Sequence, residues 1–89
     1  MFDEVSVDSR IGVRHPELSE DDVRSAWENA IVYAERATNG LSAPLLVAIG
    51  SDSKGRMLEL VAVIGEKAIH IFHAMTPPSK KTLKELGVK

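Results

Sequence analysis

Residues 45–75 read LLVAIGSDSKGRMLELVAVIGEKAIHIFHAM, and the fold turns on how they are parsed. Residues 45–49 are a nearly unbroken apolar run, as expected of a strand covered on both faces or set in mid-sheet. Ser51, Asp52, Ser53, Lys54 and Gly55 form a turn cluster. Residues 57–64 then alternate, with Leu58, Leu60, Ala62 and Ile64 to one side and Met57, Glu59, Val61 and Val63 to the other. Gly65 and Glu66 make a tight reversal, with Gly at the first central position of the turn. Residues 68–74 close the pattern. A strict period of two puts Ile69, Ile71 and His73 on one face and His70 and Phe72 on the other. The spacing predicts a three-stranded antiparallel meander over 45–49, 57–64 and 68–74.

Upstream of the meander, Ser19 is a natural helix N-cap, with Asp22 three residues on and Glu20, Asp21 and Asp22 loading the first turn with negative charge. Val23, Ala26, Trp27, Ala30, Ile31 and Ala34 recur at the spacing of one helical face, which predicts a helix over 19–37 stopped by Asn39 and Gly40. Trp27 falls on that stripe and is expected in the core rather than as a base-stacking platform. Earlier still, Val5, Val7, Ile11 and Val13 alternate with polar residues, which predicts a strand that ends before Pro16. Downstream, Pro77 and Pro78 break the chain, Ser79 caps a short helix over 80–86, and Gly87 ends it. The expected fold class is α+β: a single domain over residues 1–89, in the order β-α-β-β-β-α, with one long helix packed on a face of the antiparallel sheet.

Eighty-nine residues suffice for one domain with a thin core, and 44% apolar side chains argue against disorder. There is no cysteine, which excludes disulfides and thiolate metal sites and fits the cytoplasm. The first residues carry acid and no apolar core of a signal peptide. The longest apolar stretches fall far short of the roughly 20 residues a membrane span needs, so no membrane association is expected. Net charge is −2, but residues 1–53 hold 4 basic and 10 acidic side chains while residues 54–89 hold 7 and 3. The basic C-terminal third could face a phosphate backbone or an acidic partner, or could simply be solvated lysines that keep a short helix soluble.

Several residues are candidates for chemistry. His70 and His73 carry H-x-x-H spacing, but on a strand of period two they point to opposite faces, and no third ligand is near in sequence. No metal and no cofactor is therefore expected. No Ser-His-Asp or G-x-S-x-G arrangement is seen in the sequence. His73 ends an aliphatic strand face just before the Pro-Pro break, where an imidazole could be both held and reachable for proton transfer, or could be a structural histidine bonded to a carbonyl. Glu59 is the lone acid in its strand and could lie at a sheet margin, pair with a cation, or act as a base. Lys54 and Arg56 project near the first hairpin turn, where a phosphate could meet them. His15, before Pro16, is most simply a turn residue.

Three segments, RHPELSEDDVRSA from Arg14, AIGSDSKGRMLE from Ala48 and IHIFHAM from Ile69, resemble BrnT-type toxins. That family looks like K-H-G-V-S-F-E-E-A before the helix, I-G-x-t-x-x-G-R-x-L across the first hairpin and R-I-I-S-A-R on the last strand. Ile71 to Met75 is also similar to a group of actinobacterial toxin-like proteins with an H-A-M signature. The resemblance implies a small RelE-like fold and a metal-independent endoribonuclease, the toxin of a toxin–antitoxin pair. Its implied partners are a cognate antitoxin and, as target, RNA or the ribosome, with a homodimer or a hetero-oligomer as the assembly. It carries His15, Lys54 and Arg56 over as motif residues. His70 and Met75 stand where the family has arginine. In cleavage, His73 or Glu59 would take a ribose 2′-hydroxyl proton while Lys54 and Arg56 stabilise the phosphorane. The competing expectation is a non-catalytic protein–protein interaction module that has lost the family's cationic site.

Overall fold

In the computed structural model, residues 4–36 and 44–88 are described. The meander is present: β3 (Leu45–Ser51), β4 (Met57–Ile64) and β5 (Ala68–Met75) pair antiparallel, with Ala48 opposite Leu60 and Leu60 opposite Ala74. The turn between β3 and β4 is held by Asp52, whose Oδ1 accepts from Lys54 N (3.0 Å) and Arg56 N (2.9 Å), with Gly55 in the left-handed region at φ 81°.

Two elements differ from expectation. The predicted first strand is extended only as β1 (Glu4–Val7); Arg10–Arg14 is a short helix, α1. Asp8 is the cause, because its carboxylate accepts from Arg10 N at 2.9 Å and turns the chain into a helical start. Ile11 is then buried, but Val13 is 80% exposed, so the period of two there is accidental.

The long helix is also split. Helix α2 (Glu20–Glu28) begins as expected with a full capping box: Ser19 Oγ accepts from Asp22 N at 3.1 Å and Asp22 Oδ2 accepts from Ser19 N at 2.9 Å. It ends at Asn29, and residues 30–36 form an edge strand, β2 (Ala30–Arg36), antiparallel to β3 with Tyr33 opposite Ala48. Ile31, Val32 and Tyr33 are β-branched and aromatic residues that suit a pleated surface, and a strand here satisfies β3 backbone groups that a longer helix would leave unpaired. Gly50 makes the switch sterically feasible. A side chain there would put a Cβ 1.9 Å from Ala26 O and 3.1 Å from Ala30 Cα, so the last turn of α2 lies directly on β3. The far end of the predicted helix, 37–40, lies outside the described residues.

The result is an α+β domain in the order β-α-α-β-β-β-β-α, with sheet order β1-β5-β4-β3-β2. Every pairing is antiparallel except β1 with β5, which is parallel with Ser6 beside His70. The core lies between the helices and one face of the sheet, where Val23, Ala26, Leu58, Leu60, Ala62, Ile69 and Ile71 are each fully buried. Trp27 is only partly buried and flanks a groove with Tyr33 and Leu46 at the β2 side. The other face is crossed by α3 (Lys80–Glu85), which Arg36 of β2 anchors by donating from Nη2 and Nε to Glu85 at 2.7 and 3.1 Å. No helix among the described residues is long and apolar enough to cross a membrane.

Candidate active site

The register of β4 with β5 shifts between Val61 and Ala62, so that Ile71 faces Ala62, His73 faces Val61, and Phe72 is an extra residue. Below this bulge Ile69 and Ile71 point into the helix-side core; above it Ala74 does. The period of two is broken, and His73 moves to the same face as His70. The sequence-based assignment of His73 to the Ile69–Ile71 face, and of the two imidazoles to opposite faces, is therefore corrected: both lie on the face away from α2.

On that face His73 meets Glu59. Nε2 of His73 is 2.9 Å from Glu59 Oε2, while Glu59 Oε1 accepts from Ser79 N (2.9 Å) and Ser79 Oγ (2.8 Å). Ser79 Oγ in turn accepts from Thr82 N and caps α3. Glu59 is 6% exposed. Burial alone would push its carboxyl upward, but the donors from Ser79, Thr82 and His73 outweigh it and bring the pKa down to about 2. A carboxylate can only accept, so Nε2 of His73 carries the hydrogen of that contact and Nδ1 is the ring nitrogen that Glu59 leaves unengaged. The ring is 32% exposed. Of the roles open to Glu59, pairing is the one observed, with an imidazole and a helix cap rather than a lysine or arginine.

His70 is bound in the same way on the β1 side. Its Nε2 is 3.2 Å from Asp8 Oδ2 and its Nδ1 is 2.8 Å from Ser6 Oγ, with the side chain 44% exposed. Arg10 donates from Nε (3.0 Å) and Nη2 (2.8 Å) to Asp8. The Arg10 guanidinium first, its backbone N–H second and His70 third hold the Asp8 carboxyl well below the usual range. A serine, a histidine and an aspartate thus stand in line across the parallel pair. Sequence reasoning missed Ser6 and Asp8 altogether, weighed His70 only as a metal ligand or a family arginine's replacement, and read Ser79 only as a helix cap. Ser6 and Asp8 alternate on one strand face, which is a signal, but their partner His70 is 64 residues away from Ser6.

Lys54, Arg56 and His15 are elsewhere. Arg56 donates to Asp52 Oδ2 (2.8 Å), Asp22 Oδ2 (3.0 Å) and Glu17 O (3.1 Å), and Lys54 Nζ is 3.3 Å from Asp22 Oδ2. The hydrogen bond from Ser19 N leads the lowering of Asp22, and at Asp52 the Arg56 and Lys54 donors overcome burial, so both buried acids are ionised and paired while Lys54 stays largely exposed. These cations clamp the β3–β4 turn to the start of α2. His15 lies near Glu17, 3.7 Å from its carboxylate. The five expected residues therefore split into two groups, Glu59 with His73 on one face and His15, Lys54 and Arg56 around the start of α2. Among the described residues no three His, Cys, Asp or Glu side chains gather as a metal site requires. No family model matches this chain, and no curated protein or solved structure matches it either.

Proposed function

We propose that the chain is a small metal-independent endoribonuclease of the BrnT, RelE-like toxin type. In this reading it acts on RNA in the cytoplasm and is neutralised by a cognate antitoxin. The observation that carries the reading is the His73–Glu59 pair, an imidazole fixed by a fully ionised carboxylate and still partly open to solvent. Cleavage needs a base for the ribose 2′-hydroxyl, and in this reading Nδ1 of His73, the nitrogen not bound to Glu59, takes that proton while Glu59 stabilises the imidazolium that forms. Glu59 is a positioning residue here rather than the base, since it is buried and the donors from Ser79 and His73 make it a weak base. Lys54 and Arg56 lie around the start of α2, apart from the His73–Glu59 pair, so in this reading the phosphate charge falls instead to exposed Lys80 and Lys81, which follow Ser79 directly. The RelE-like ancestry of the fold is part of the same proposal and rests on the three resembling segments.

The test is tightly induced expression with growth and total RNA followed together. Wild type should arrest growth and cleave RNA, and His73→Gln should lose about 100- to 10,000-fold in rate while keeping its circular dichroism spectrum. Cleavage that persists in His73→Gln would remove His73 from the mechanism. Harmless expression of folded protein would favour a second reading, the interaction module, for which one observation speaks. Strand β2 ends the sheet, and its Ile31 and Tyr33 are each 66% exposed, as a strand-addition edge would have them.

A further inference from the structure

We infer that His70 is the second proton-transfer group of this site, so that one RNA phosphodiester lies across β5 between two imidazoles, with His73 as base and His70 as acid. The inference rests on the ribonuclease reading and adds the residue that releases the leaving group.

Three observations converge on it. The bulge at Phe72 puts both rings on one face, and their partners on β4, Val61 and Val63, are alternate residues of a strand. Alternate residues of a strand are about 7 Å apart along the backbone, so the two rings rise from neighbouring positions on one face, His73 tied toward β4 and His70 toward β1, with β5 between their partners. Both rings are fastened through Nε2 to a carboxylate, Glu59 for His73 and Asp8 for His70, which leaves Nδ1 as the nitrogen for substrate, at His70 in exchange for its contact with Ser6 Oγ. Both are also part-exposed, which a purely structural imidazole in a sheet would not require.

The charged surroundings differ in a way that suits two roles. His73 faces Glu59 from β4, with Ser79 at the start of α3 and Lys80 and Lys81 beyond it. His70 faces Ser6 of β1 and Asp8 just after it, with Arg10 of α1 behind Asp8. Ser6 Oγ occupies Nδ1 of His70 in the free protein, but it has a second acceptor in Ile69 O at 3.5 Å and can give way to a substrate oxygen.

The step balances without a co-reactant. The 2′-oxygen forms a bond to phosphorus as its proton passes to Nδ1 of His73. The bond from phosphorus to the 5′-oxygen breaks as Nδ1 of protonated His70 gives that oxygen a proton. The products are a 2′,3′-cyclic phosphate and a free 5′-hydroxyl, and the two rings return to their starting states by exchange with water. Because one ring must be neutral and the other protonated, the rate should be bell-shaped in pH.

The experiment uses the purified full chain and two substrates: a short RNA oligonucleotide, and a uridine 3′-phosphodiester whose leaving group is p-nitrophenolate, which departs without a proton. His70→Asn should lose about 100- to 10,000-fold on the oligonucleotide, together with the alkaline limb of the pH profile, and lose little on the nitrophenyl ester. His73→Gln should lose on both. Equal losses by His70→Asn on the two substrates, or an alkaline limb that survives it, would overturn the role of His70 and leave His73 standing. Wild type inactive on both substrates would overturn the ribonuclease reading and this inference with it. If His70→Asn is poorly folded, His70→Gln and the shape of the wild-type pH profile decide the same question.

Discussion

Glu59 is the residue at which charge, burial and secondary structure are most tightly tied. Its carboxylate holds the His73 ring and caps α3 through Ser79, so it serves the candidate site and the fold at once. Its folded pKa of about 2 lies below the ordinary value of 4.5. A depressed carboxylate stabilises the folded state above its unfolded pKa and loses that contribution as pH falls toward its folded one. Urea melts should therefore show a component on the order of 2 kcal/mol present at pH 7 and disappearing between about pH 5 and 2. In Glu59→Gln that component should be missing, and the gap from wild type should narrow steadily as pH drops. A gap independent of pH would mean that Glu59 acts by shape alone. The sequence singles out Glu59 and His73 because each is polar within an apolar strand. Their pairing is illegible there, since it depends on a bulge that no residue type announces. Lys54 looks free in sequence because its partner Asp22 is 32 residues away; Arg56 has the same distant partner and a local one, Asp52, four residues before it in the turn.

Among the elements, the ends of α2 contrast sharply in legibility. Its start is local chemistry, one hydroxyl and one carboxylate three residues apart, and the sequence states it fully. Its end is a tertiary decision. Ala30, Ile31 and Ala34 fit a helical stripe, while Ile31, Val32 and Tyr33 fit a strand. What settles the matter is an available partner in β3 and a glycine on which the last helical turn can rest. The two assignments differ in energy at one position. In a helix core Ile31→Ala would cost about 2–5 kcal/mol, whereas on an edge strand with the side chain 66% exposed it should cost under about 1 kcal/mol. A denaturation midpoint near wild type for Ile31→Ala, with extended backbone chemical shifts over 30–36, is the expected result. A loss above 2 kcal/mol would restore the longer helix.

At the scale of the whole molecule, the meander and the α+β class follow from alternation and turns, both of which are short-range properties. The parallel closure of the sheet by β1 does not, because nothing in residues 4–7 encodes which distant edge they will join. That closure also sets the order in which the molecule comes together. Contacts within the β3–β4–β5 meander span short loops, but the contact of Ser6 with His70 spans 64 residues, and long loops cost entropy that must be met before the contact returns anything. Strand β1 is four residues long and lies at the sheet margin, pinned by β5 on one side and by the Arg24 guanidinium on Val5 O. Its amides should exchange with solvent deuterium through local openings, while those at the centre of β4 wait for global unfolding. A uniform exchange rate across both strands would show that the sheet opens only as a unit. If β1 does detach first, the molecule has a partly open form in which the His73–Glu59 pair survives inside a hairpin while His70 has lost both its aspartate and its serine.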